Sequence, residues 1–81
     1  MKIHANGIDI RYEISGNGPW VTLSHSLSCD LTMWDALAAS LAPTCTVLRY
    51  DTRGNGGTSA PLGDYSFDQL TSDLTGLLDA L

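Results

Sequence analysis

Two short runs, Trp20-Val21-Thr22-Leu23 and Thr46-Val47-Leu48-Arg49-Tyr50, constrain this chain most. Both are nearly continuous in apolar or β-branched residues, the pattern of strands covered on both faces in a parallel sheet. Between them Met33, Trp34, Leu37, Ala38 and Leu41 share one stripe at helical spacing, Asp30 offers an N-cap, and Pro43 supplies a stop. Strand, helix, strand in that order predicts a right-handed crossover and hence an α/β fold.

The flanking segments extend this plan. Lys2 to Ala5 and Ile8 to Ser15 enclose Asn6-Gly7, a hairpin signal because both turn positions favour positive φ. Ile8, Ile10, Tyr12 and Ile14 alternate with Asp9, Arg11 and Glu13, so the second strand has one wet face. Ser66 and Gln69 form a capping-box pattern, followed by a stripe of Phe67, Leu70, Leu74, Leu77, Leu78 and Leu81. The spacing therefore predicts strands near 2–5, 8–15, 20–24 and 46–51, and helices near 31–42 and 67–81.

Composition removes several functions. A net charge of −5 with four Lys and Arg offers no basic patch for nucleic acid. No apolar run approaches membrane-spanning length, and Met1 to Ile10 lacks a signal-peptide pattern, so a cytoplasmic setting without a membrane partner is expected. Cys29 and Cys45 show no zinc-ligand spacing. A helix of roughly 12 residues, about 18 Å, should separate them. A disulfide spans only about 4.4–6.8 Å between Cα atoms, so both are expected as thiols. Neither a metal site nor a cofactor is expected: Gly54-Asn55-Gly56-Gly57 lacks the third glycine and the helix of a dinucleotide loop.

Ligands in open α/β sheets sit beyond the carboxyl ends of the strands. Here those ends carry His25-Ser26-Leu27-Ser28 and Asp51-Thr52-Arg53-Gly54-Asn55-Gly56-Gly57-Thr58. Leu-Ser-His-Ser-Leu (23–27), Met-Trp-Asp (33–35), Leu-Arg-Tyr-Asp-Thr-Arg-Gly-x-Gly (48–56) and Tyr-Ser-Phe-x-x-Leu-x-x-Asp (65–73) follow in order. Together they resemble the N-terminal third of the α/β-hydrolase family, in the branch of 3-oxoadipate enol-lactonases and bacterial esterases. The sequence departs from that pattern at Ser26, where Gly is usual, at Asn55, where His is frequent, and at Thr58, where Ser is usual.

The resemblance implies a cofactor-free Ser–His–Asp acyl transfer on a carboxylic ester or lactone. In that fold one oxyanion-hole donor is a backbone N–H of the loop after the third strand, which motif position assigns to Leu27. His25, Ser26, Ser28 and Trp34 are expected near the substrate. His25 is expected to shape the loop or touch substrate, since the family's base lies far downstream; Trp34 is read as core or pocket wall. Haloalkane dehalogenases and epoxide hydrolases usually carry Pro at the position of Ser28, which favours an ester- or lactone-cleaving relative.

Two tempting features are set aside. Gly57-Thr58-Ser59-Ala60-Pro61 imitates a nucleophile elbow, but Ser59 is eight residues past its strand and Pro61 replaces the second Gly. Asp51 and Arg53 look like an acid–cation catalytic pair; an ion pair pinning the loop is the expected role. The nucleophile, acid and base are expected from the remainder of the hydrolase fold, in the same chain or a separate one. The family's strand order puts the fourth strand between the second and third, leaving Trp20–Ser24 as an edge. Such an edge also allows a non-catalytic interaction fragment that binds a complementary chain. A small, catalytically dead domain is a third reading.

Overall fold

The computed structural model describes residues 1–26, 29–63 and 65–81. Strands β1 (Lys2–Ala5), β2 (Ile8–Gly16), β3 (Trp20–Ser24) and β4 (Thr46–Tyr50) form one mixed sheet in the order β1-β2-β4-β3. β1 and β2 are antiparallel, β2 and β4 are antiparallel, and β3 runs parallel to β4 with Ser24 opposite Tyr50. Helix α1 (Asp35–Leu41) makes the crossover, and α2 (Phe67–Ala80) follows the long loop after β4. The class is α/β, with a hairpin feeding a parallel βαβ unit.

The hairpin forms because Asn6 and Gly7 adopt φ of 51° and 79°, the sense of twist that a two-residue turn needs. Alternation along β2 then buries Ile8 and Ile10 while Asp9 stays in water. These residues join Ala5, Leu48, Tyr50 and Leu77 in the core, with Ile3, Tyr12, Ile14 and Leu74 packed around it. On β4, Val47 alternates with Leu48, and both are fully buried. β4 is thus the strand enclosed on both faces.

β3 is not. Trp20, Thr22 and Ser24 are exposed, and Val21 and Leu23 are half-buried, which corrects the expectation of a doubly covered strand. The reason is position: among the described strands β3 pairs with β4 alone, so one flank is unpaired and its faces are only partly covered.

The predicted helix near 31–42 is likewise two elements, a 3₁₀ turn over Leu31–Trp34 and then α1. Asp30 sets this start, accepting the Thr32 N–H at 2.9 Å and the Thr32 hydroxyl. Of the expected stripe only Ala38 is fully buried, and Met33 and Leu37 are exposed. After Leu41, the N–H groups of Ala42, Thr44 and Cys45 return to the carbonyls of Ala38 and Leu41, closing the helix beside Pro43.

Ser66 caps α2 by accepting the Gln69 N–H at 3.1 Å. The buried face of α2 is narrower than its leucine stripe: Leu77 is fully buried, Leu70 and Leu74 half-buried, while Phe67 is 89% exposed. Asp73 lies on that buried face.

Asn6 also donates from Nδ2 to Asp73 Oδ1 at 2.7 Å, tying the hairpin turn to α2. Asn6→Gly keeps the turn geometry and removes only this bond to a charged acceptor, so a loss of about 1.5–3 kcal/mol is expected. Urea denaturation of the variant checks this; an unchanged midpoint would show that the contact contributes nothing.

Candidate functional site

The parallel pair β3 and β4 ends on one side of the sheet, bringing residues 25–26 and 29–31 together with 51–59 there. The second segment is the rigid one. Asp51 is fully buried. Its Oδ1 accepts the Leu31 N–H at 2.7 Å and its Oδ2 accepts the Gly57 N–H at 2.8 Å. Short bonds from backbone donors to a carboxylate are charge-assisted and strong. Arg11 Nη1 adds a longer contact to Oδ2 at 3.4 Å. The Thr58 hydroxyl donates to the Asp51 carbonyl at 2.7 Å and accepts the Arg11 N–H at 3.0 Å. Here a hydroxyl does what strand pairing does elsewhere: it carries the ladder past the end of β4.

Arg53 turns the other way. Its Nε and Nη2 donate to Asp73 Oδ2 and Oδ1 at 2.8 and 2.7 Å, a bidentate pair shielded from water. Burial pushes the Asp73 carboxyl up, but the hydrogen bonds from Arg53 and Asn6 and the Arg53 charge outweigh it and hold it below the ordinary value. The expected Asp51–Arg53 ion pair is therefore replaced by two separate anchors. Side chains two apart on a turning loop diverge, so each meets a different element: Arg11 and backbone amides for Asp51, α2 for Arg53.

The first segment is fastened to the second at both of its ends. His25 is buried, and its Nε2 lies 2.9 Å from the Thr52 N and 3.1 Å from the Thr52 hydroxyl. At the other end, Leu31 N–H is held by Asp51. Two consecutive residues, Asp51 and Thr52, thus grip residues 25 and 31. Asn55 Nδ2 donates to the Thr52 hydroxyl at 2.9 Å, which links the position that departs from the expected His to the same network.

The predicted site residues are only partly assembled. His25 sits between the loops, whereas Ser26 is exposed and points its N–H at Met33 Sδ, 3.5 Å away. The Leu27 N–H and Ser28 lie outside the described residues. Trp34 is half-buried on the 3₁₀ turn, and its indole Nε1 has no hydrogen-bond partner among the described residues. An open cavity of about 460 Å³ lies between the loops, lined by Cys29, Asp30, Thr32, Met33, Asn55 and neighbouring glycines. A second, of about 360 Å³, is bounded by Ser24, His25, Thr52, Phe67, Leu70 and Leu74. Trp34 lines neither. The Asp30 carboxyl at the first cavity is held below its ordinary value by the hydrogen bonds from Thr32.

Ser59, the imitation nucleophile, bonds the backbone of Asp9: its Oγ accepts the Asp9 N–H at 3.0 Å, and its N–H donates to the Asp9 carbonyl. It closes the loop against β2. Cys29 and Cys45 are free thiols, and the described residues contain no cluster of potential metal ligands. Thr52, Asn55 and Asp73 are the participants that sequence reasoning gave no role. Asp73 carried one signal, a carboxylate on the Leu70–Leu77 face of an otherwise apolar stripe.

No protein-family model matches the chain. The 3-oxoadipate enol-lactonase 2 of Acinetobacter baylyi is 38% identical over 79 residues, which take in 95% of this chain and 30% of that protein. A fluoroacetate dehalogenase of a Burkholderia species is 34% identical over 98% of this chain and 28% of its own length. Among solved structures, the enol-lactonase of Burkholderia xenovorans LB400 matches with a TM-score of 0.93 and 46% identity, over 98% of this chain and 32% of that one. The chain thus spans about 30% of the length of these relatives.

Three outcomes test the anchors. A Cβ at Gly56, where φ is 50°, would collide with the Asp51 carboxylate, so Gly56→Ala should cost at least about 1–3 kcal/mol in chemical denaturation. For Asp73, a carboxyl depressed in the folded state contributes stability that is full above the unfolded value and lost as pH falls through the folded one. Urea midpoints measured downward from pH 6 should therefore fall below the ordinary carboxyl value of 3.8. Asp73→Asn should lack that part of the decline, and parallel acid limbs would refute the assignment. Arg53→Met, which strands the buried carboxylate, should cost about 3–5 kcal/mol.

Proposed function

The chain belongs to the α/β-hydrolases, and on that premise we propose that it forms the oxyanion-loop segment of a serine hydrolase cleaving a carboxylic ester or lactone. The observation that carries this reading is the fastening of His25 to Thr52 and of Leu31 to Asp51. A transition-state donor gains rate only if it is held before charge develops, because reorganisation during the reaction would cancel the gain. Held flanks on both sides of the proposed donor support that reading.

In this proposal the Leu27 N–H receives the carbonyl oxygen as it becomes an oxyanion, one such donor being worth about 10²–10³ in rate. Ser26, Ser28 and Trp34 border the substrate, and His25 stands behind the loop. The nucleophile, its acid and its base come from the remainder of the hydrolase fold, in the same chain or a separate one, seated along β3. The reaction is cofactor-free and its setting cytoplasmic. Arg11, Arg49 and Arg53 are each committed to a carboxylate, which suits a neutral ester or lactone group at this end of the sheet.

A second reading rests on β3 itself. Its free flank and the 61% exposed Trp20 suit a non-catalytic segment that pairs with a complementary chain through that edge.

To test the first reading, residues 1–81 would replace the matching segment of the Burkholderia xenovorans enol-lactonase, and p-nitrophenyl acetate and lactone hydrolysis would be followed. Turnover abolished by a serine-directed inhibitor is expected. Leu27→Pro, which deletes the N–H, should lower kcat about 10²–10³-fold with little change in KM. A folded, monomeric chimera without turnover would refute the catalytic reading and leave the edge-pairing one.

A further inference from the structure

We infer that His25 is a positioning residue locked in the Nδ1–H tautomer, which clamps the Ser26 carbonyl and transmits to it the position of the β4 loop. The inference rests on the proposal that residues 25–31 supply an oxyanion donor, and its groundwork is independent of catalysis.

The tautomer follows from the neighbours. Nδ1 lies 2.7 Å from the Ser26 carbonyl oxygen, which can only accept. Nε2 lies 2.9 Å from the Thr52 backbone N, which can only donate. One arrangement satisfies both: a proton on Nδ1 and a lone pair on Nε2. The Thr52 hydroxyl, 3.1 Å from Nε2, is held in turn by Asn55 Nδ2. Neither ring nitrogen has a lone pair left to take a proton from a nucleophile, which removes His25 from general-base chemistry. An imidazolium would set N–H against N–H at Thr52.

The clamp acts on an oxygen already in use. The Ser26 carbonyl also accepts the Cys29 N–H at 3.1 Å, so donors occupy it from two directions. In a planar trans peptide the carbonyl oxygen and the N–H point to opposite sides. A group that holds the Ser26 oxygen therefore constrains the peptide plane to which that oxygen belongs. This gives His25 an effect on a reacting carbonyl it need not touch. Asn55, Thr52, His25 and Ser26 form one continuous relay from the β4 loop to the β3 loop.

Nitrogen NMR of the 81-residue chain reads the tautomer directly. Nδ1 should be protonated, Nε2 should be pyridine-like, and a coupling should pass across the hydrogen bond from the Thr52 amide nitrogen to Nε2. An Nε2–H tautomer, or rapid averaging of the two, would overturn the inference whatever the chain catalyses.

In the chimeric hydrolase, His25→Asn keeps a donor near Nδ1, while His25→Gln reaches toward Thr52 and leaves the Ser26 oxygen short of a donor. His25→Gln should lower kcat about 10–10²-fold, the cost of a small misplacement, with KM within about twofold and substantial rescue by His25→Asn. Equal losses in both variants, or a loss confined to KM, would overturn the positioning role. An inactive wild-type chimera with the Nδ1–H tautomer would count against the proposed reaction alone.

Discussion

The buried carboxylate of Asp51 is the constraint from which the rest of this structure takes its arrangement. A charge with no access to water must have each oxygen satisfied by strong donors, and here both principal donors are backbone amides, Leu31 and Gly57. That requirement bends the loop after β4 back on itself and draws in the start of the 3₁₀ turn. It also forbids a side chain at residue 56. Because Asp51 directly follows the enclosed strand β4, its position is inherited from the sheet's centre. The two loops are thus located by the most enclosed strand of the sheet.

Local features of the fold were legible because they repeat or sit at fixed offsets. Alternation marked β2, Asn6-Gly7 marked the hairpin, and Ser66 with Gln69 marked the start of α2. The pairings at the site were not legible. Asp51 with Leu31 and Arg53 with Asp73 each join residues 20 apart, and no periodicity connects them. Proximity in sequence suggested Asp51 with Arg53, but the direction of each side chain on the turn decided otherwise. The exposure of β3 was hidden for another reason: an apolar run reports what a strand could bury, not how many neighbours it has. Tyr65 to Asp73 entered the sequence reading as a family-like motif, and only the structure gives its aspartate a partner.

The relatives sharpen what this segment contributes. Proteins named as an enol-lactonase and as a fluoroacetate dehalogenase resemble it at 38% and 34% identity over nearly its whole length. The likeness in structure is one of fold, shared with the solved enol-lactonase over nearly the whole chain. The two cavities differ in their walls: Cys29, Asp30, Thr32 and Asn55 surround the first, whereas Phe67, Leu70 and Leu74 line much of the second.

The tie between Asn6 and Asp73 bears on the order in which the chain becomes a solid. Those residues are 67 apart, so the turn at Asn6-Gly7 waits for α2 before it is locked. A contact of such sequence separation repays its loop-closure entropy late and slows the approach to the native state. Until α2 arrives, Arg53 lacks its carboxylate and the loop after β4 lacks one of its two anchors. The nascent chain can close its hairpin early, but the Arg53 anchor of the loop after β4 forms only when α2 docks.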